Sequence, residues 1–150
     1  MWEGFAGDSL YLDSNIVIMA IEQGNPWSDI LRCLFVELDE RTIVAYTSEL
    51  TIAEVLTKPL QVGAEDLVAK YDRLFAAESP IRTIPIDRSI LRLAAELRGR
   101  FHIKLMDSIH LATAKSHACD FFLTEDERLG RAMEREPRRL SLSEIGKENR

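Results

Sequence analysis

The amino-acid sequence predicts an α/β fold in three layers: a mainly parallel central sheet of four to five strands with helices on both faces. Short β-branched or aromatic runs such as Leu10-Tyr11-Leu12, Ile43-Val44-Ala45-Tyr46 and Phe121-Phe122-Leu123 alternate with longer stretches of helical periodicity. Such alternation builds right-handed β-α-β units. Acidic residues also stand where the apolar runs stop, and in parallel sheets ligands bind beyond the carboxyl ends of the strands. A chain of 150 residues is expected to form one domain with one core over 1–150, with residues 1–7 as an extension before the first strand.

The elements follow in order. Ser9 to Leu12 reads as a short buried strand ending at Asp13. Ile16 to Gln23 is helical and is stopped by Gly24-Asn25-Pro26. Trp27 to Arg41 places Trp27, Ile30, Leu31, Leu34, Phe35 and Leu38 on one helical stripe. Thr42 to Tyr46 is a strand, after which Ser48 can cap a helix that has Glu49 in its first turn, carries Glu54 and closes near Lys58-Pro59. Ala64 to Glu78 predicts a helix, Ile81 to Ile86 a strand, and Asp87 a cap for a helix over Arg88 to Arg100. Leu105 to Ala118 is a helix rich in small residues, and Asp120 to Thr124 a strand. Glu125 to Glu134 reads as a short helix and Arg139 to Leu142 as a last edge strand, with a frayed tail from Gly146 to Arg150.

Composition narrows the classes. The chain is 46% hydrophobic and 29% charged, ordinary for a soluble domain. Its longest apolar run, Ile16 to Ile21, is far shorter than the roughly 20 residues of a membrane span. No basic leader precedes Glu3 and Asp8, and Cys33 and Cys119 lack metal spacing, so a cytoplasmic protein with two buried, reduced thiols is expected. The net charge of −6 argues against a general nucleic-acid binder, yet basic residues cluster at Arg98, Arg100 and Lys104 and again at Arg128, Arg131, Arg135, Arg138 and Arg139. Those clusters read either as solvated surface or as a phosphate-tracking stripe.

Four acids carry the chemistry: Asp13, Glu54, Asp107 and Asp126. Each sits beside core-forming residues, where a carboxylate is costly without compensation. Each taken alone is explained as a helix cap, a first-turn acid or a solvated side chain. Gathered in one cleft they would demand a divalent cation, and an all-oxygen donor set suits Mg2+ or Mn2+ better than zinc. Such ions lower the pKa of bound water and neutralise charge on a phosphodiester under attack. Thr124 adds a hydroxyl close to Asp126. His110 and His117 share a helix face with Asp107, but no further ligand completes a zinc set, so His110 is expected to pack or to support a neighbour.

The blocks Leu12-Asp13-Ser14-Asn15-Ile16, Thr47-Ser48 through Ala53-Glu54-Val55, Asp107-Ser108-Ile109-His110-Leu111-Ala112-Thr113-Ala114 and Leu123-Thr124-Glu125-Asp126 together resemble the PIN-domain family, and within it the single-domain VapC-type toxins of toxin–antitoxin pairs. The resemblance spans Ser9 to Leu142. It implies a PIN-like parallel sheet, a Mg2+- or Mn2+-dependent endoribonuclease acting on RNA, and Asp13, Glu54, Asp107 and Asp126 as the metal-site acids. Ser14, Asn15 and Thr124 would be supporting groups, with Asn15 holding Asp13 and its loop by side-chain hydrogen bonds. It further implies a homodimer neutralised by a VapB-like antitoxin. Ser14 stands where Thr is frequent in that family, and Glu125 where Asn or a basic residue is common. The apolar face of Trp27, Ile30, Leu31, Leu34 and Phe35 is open to three readings: core, groove or dimer contact.

Two other classes stay open from the residues. One is a non-catalytic PIN-like module that binds metal or RNA. The other is a phosphoacceptor signalling domain, which would want an acidic pair near the first strand and a lysine ending a late strand; neither is present. A haloacid-type phosphatase would need Asp-x-Asp after the first strand, where this chain has Asp13-Ser14-Asn15.

Overall fold

A computed structural model describes residues 1–147. Their sheet has five strands, all parallel: β1 (Ser9–Leu12), β2 (Val44–Ser48), β3 (Ile81–Ile84), β4 (Phe121–Leu123) and β5 (Arg138–Leu140), in the order β3-β2-β1-β4-β5. The chain steps outward from β1 to β3 and then returns to the other side of β1. The sheet therefore reverses its winding between β1 and β4, and in parallel sheets ligands bind beyond the carboxyl ends of the strands at such a reversal.

Strand alternation divides the core into two layers. Leu10, Leu12, Ala45, Ile81, Phe121 and Leu123 face α1 (Ser14–Ile21), α2 (Ser28–Asp39), α3 (Leu50–Gln61) and α4 (Glu65–Leu74). Tyr11 and Phe122 face α5 (Arg88–Phe101), α6 (Leu105–Ser116) and α7 (Gly130–Met133). The small residues Ser108, Ala112 and Ala114 are fully buried, which lets α6 lie close to the sheet and to α5.

Several boundaries differ from the expectation, each for a local reason. β2 starts later than Thr42, because the Thr42 amide and hydroxyl go back to Glu37 at the end of α2. α3 passes through Pro59 to Gln61 rather than closing there. β3 stops at Ile84, where Pro85 has no N–H for the ladder. The helix expected over Glu125 to Glu134 is broken into a 3-10 turn (Glu127–Leu129) and the single turn of α7. Leu142 opens a further helix, α8 (Leu142–Lys147), instead of ending β5. Gly146 and Lys147, expected to fray, lie in α8; residues 148–150 fall outside the described residues. Glu125 helps start α8, its Oε1 accepting from the Leu142 amide at 2.6 Å.

The N-terminal segment before β1 packs into the core. Trp2 is 1% exposed, its indole donates to the Ile30 carbonyl at 3.0 Å, and Phe5 packs edge-on against Phe121. On α2, Ile30, Leu31 and Leu34 are buried and Trp27 and Phe35 pack against the same cluster, so that stripe is core. Cys119 is buried, which pushes its thiol up to about 12, whereas Cys33 is exposed, contrary to the expected pair of buried thiols. No helix of the described residues is long and apolar enough to cross a membrane. Trp2→Ala should remove about 3–5 kcal/mol of stability in urea denaturation, the range for a buried aromatic truncation; an unchanged midpoint would show the segment to be peripheral.

Candidate functional site

β1 and β4 deliver the first two groups side by side. The Asp13 amide donates to the Leu123 carbonyl at 3.2 Å, continuing the ladder one step past β1. Asp13 occupies the position before α1, but its carboxylate caps nothing: its backbone carbonyl takes the Ile16 and Val17 amides. The carboxylate instead accepts from Thr124 Oγ1 at 2.8 Å and faces Ser14 Oγ at 3.5 Å. Ser14 Oγ lies 3.2 Å from Glu54 Oε2, and its one proton cannot serve both acids. Asp13 is only 7% exposed, with neutral hydroxyl donors around it and no cationic side chain bonded to it. Such a charge is poorly compensated by the protein alone.

Glu54 arrives on α3 with a side chain 21% exposed. Its Oε1 meets His110 Nε2 at 2.5 Å, and His110 Nδ1 meets the Tyr11 hydroxyl at 2.6 Å. Burial, and then the charge of Asp13, push the Tyr11 hydroxyl well above its ordinary pKa, so it remains a proton donor. With Glu54 ionised, His110 donates through Nε2–H and accepts at Nδ1 from Tyr11. This buried relay holds Glu54 in orientation. His110 is thus the supporting residue the sequence suggested, while Tyr11 was not anticipated. Its place two residues before Asp13 on a strand, hence on the same face, was the available signal.

Asp107 stands in the first turn of α6, half-buried. Burial, and next the like charges of Asp13 and Asp126, hold its carboxyl above the ordinary carboxylate range. That repulsion links the three acids electrostatically. Asp126 differs: it caps the 3-10 turn through the Arg128 amide at 2.9 Å, and the Arg128 guanidinium grips both its oxygens at 3.0 Å. The Arg128 hydrogen bond is the main cause of its lowered pKa. Thr124 Oγ1 accepts the Asp126 amide at 3.1 Å while donating to Asp13, so one hydroxyl couples the two turns. Asn15 is exposed and makes no bond to Asp13, contrary to the expected role.

The donor chemistry fits a hard cation: four carboxylates and three nearby hydroxyl-bearing or amide side chains, with no thiolate. The distances do not close a cage. Among the described residues no three Asp, Glu, His or Cys side chains stand close enough to share one ion. Glu54 is turned onto His110 and Asp126 onto Arg128, which leaves Asp13 and Asp107 as the pair without a protein cation bonded to them.

Two outcomes follow. Asp107 has a raised folded-state pKa, so it binds its proton more tightly folded than unfolded, and its charge opposes folding above that pKa. Asp107→Asn should raise the melting temperature slightly at pH 7, and the gain should vanish as pH falls below about 3.9, where the unfolded Asp is also protonated. Thermal melts from about pH 3 to 8 would read it; a lower melting temperature at neutral pH would contradict the repulsion. His110→Ala strands Glu54 and Tyr11 together, and should cost about 1–3 kcal/mol in denaturant titration.

Residues 10–134 match the family model described as the PIN domain. No curated protein matches the chain. Among solved structures it is similar to VapBC2 from Rickettsia felis bound to a DNA fragment from the promoter, at 18% identity and TM-score 0.69, with 89% of this chain and 98% of that one covered. It is similar to a toxin–antitoxin complex from Klebsiella pneumoniae at 21% identity and TM-score 0.63, covering 89% and 97%. It is also similar to FitAcB from Neisseria gonorrhoeae, at 21% identity and TM-score 0.62, covering 89% and 98%. At these identities the structures speak for the fold alone. The five-stranded parallel sheet agrees with them, and the match over 10–134 is decisive: this chain belongs to the PIN-domain family.

Proposed function

We propose that this protein is a Mg2+- or Mn2+-dependent endoribonuclease and the toxin of a cytoplasmic toxin–antitoxin pair. The observation that carries the reading is that Asp107 on α6 lies within electrostatic reach of Asp13 and Asp126, the acids that follow β1 and β4 of a PIN fold, and is repelled by both. A protein that gathers like charges at a cost to itself has a use for a counter-ion there.

Asp13 and Asp107 would hold the ion first; Glu54 and Asp126 would join only on turning from His110 and Arg128. The chemistry supplied by a bound Mg2+ or Mn2+ at that place is a lowered water pKa and neutralisation of charge building on the phosphate. This chain's own groups do the rest. Thr124 fixes the rotamer of Asp13, and Ser14 bridges toward Glu54. Tyr11 and His110 hold Glu54 at its post. Asn15, exposed beside Asp13, is free to meet the substrate.

The likeness to chains solved in toxin–antitoxin complexes supports an antitoxin partner. Leu105 and Met106, each about half exposed just before Asp107, offer an apolar rim for a segment of it. A homodimer belongs to the same reading. A second reading, a PIN module that binds RNA without cutting it, is favoured by the Asp126–Arg128 and Glu54–His110 pairs, which leave no three carboxylates free to share one ion.

Purified protein should cleave single-stranded RNA with Mn2+ or Mg2+ and not with EDTA. Asp107→Asn should lower the rate by at least the roughly 100-fold upper range typical of outer-shell partners. Cleavage that is indifferent to Asp107→Asn, or a cellular phenotype that survives it, would favour the non-catalytic reading.

A further inference from the structure

Between the turn joining α5 to α6 and the turn before α7 lies a cavity of about 430 Å³, lined at one end by Asp107 and Asp126. Leu129 and Ala132 are buried beneath it, and Phe101 and Ile103, half-buried, form walls. Lys104, Arg128 and Arg131 are exposed at its rim. The cavity therefore joins basic residues from both separate clusters in the sequence, which only the packing of α5, α6 and α7 brings together. Its three cations outnumber its two carboxylates, against a whole-chain charge of −6. Lys104 is near enough to act electrostatically on both Asp107 and Asp126.

We propose that this cavity is a nucleoside subsite: it takes one unstacked base of a single-stranded RNA, adjacent to the phosphate presented to the acids, while Lys104 and Arg131 hold a neighbouring phosphate. The volume falls in the roughly 300–1,000 Å³ range of small-molecule sites. Apolar walls with an aromatic edge suit a base, since RNA recognition relies on splayed bases packed against such side chains. Cations at the rim suit the backbone and offset the repulsion between phosphate and carboxylates. Arg128 is already spent on Asp126, which leaves Lys104 and Arg131 for the strand. The assignment deepens the nuclease reading and rests on it only for the cut; binding itself needs no metal.

The test is fluorescence anisotropy with an end-labelled single-stranded RNA of about eight nucleotides, a length in the range of single-strand sites, in EDTA. Arg131→Glu should weaken binding at least about fivefold and lower the salt slope by about 0.7, the value for one lost single-strand phosphate contact. Ile103→Trp, which fills the cavity and adds no charge, should weaken binding at least about fivefold with the salt slope unchanged. Arg82→Glu, on the far edge of the sheet, controls for overall charge and should leave affinity within about twofold. A melt of each variant keeps a folding failure from being read as a binding one, and Arg131, exposed, is the variant safe from it. RNA affinity that survives both Arg131→Glu and Ile103→Trp would assign the cavity to a peptide partner or to none, and overturn the proposal. No binding by the unaltered protein would overturn it too. Binding that fails only in these variants supports the subsite even if no cleavage is found, so the two readings fall separately.

Discussion

Leu10, Tyr11 and Leu12 pair in parallel with Phe121, Phe122 and Leu123, and this register sets where the acids meet. It brings the ends of two strands, about 110 residues apart in the chain, into one turn-to-turn contact. Asp13 then lies opposite Thr124, and a single hydroxyl donates to one turn while accepting from the other. A one-residue slip would turn Tyr11 out of the α6 layer and remove the partner of His110. The two apolar layers guard against that slip, because Leu10 and Leu12 would have to exchange faces with Tyr11.

The four acids are compensated unequally. Asp126 is held by an arginine, and Glu54 by a buried histidine backed by a tyrosine. Asp13 has hydroxyls only, and Asp107 has mainly like charges near it. The least satisfied pair is therefore Asp13 and Asp107, the two that also repel one another. Stored repulsion of this kind is a common companion of ion sites, and it lowers stability where activity would need it. The cavity beyond Asp107 continues the same edge outward, changing from acidic to basic within one helical turn of α6.

Much of this was legible in the residues. The strands at Ser9 to Leu12 and around Phe121 to Leu123, the acids at their ends and the small-residue helix α6 follow from periodicity and composition that local physics enforces. Boundaries were less legible wherever a backbone amide had a competing partner, as at Thr42, or where the chain could break a helix into two turns, as after Asp126. The burial of Trp2 was hidden because the residues that cover it, such as Ile30, come from a distant helix.

The amino-acid sequence by itself determined the alternating layers, the parallel sheet and the acids that follow β1 and β4, because hydrophobic period and strand-end chemistry are local properties. Only the tertiary structure decided which partner each acid receives. Asp13 could have capped its helix and Glu54 could have faced water; the fold instead put Thr124 on Asp13 and His110, backed by Tyr11, on Glu54, and the Asp126 turn supplied Arg128. Apart from the local Asp126–Arg128 pair, those choices depend on distances between side chains many residues apart, and electrostatic compensation is set by such distances, not by spacing along the chain.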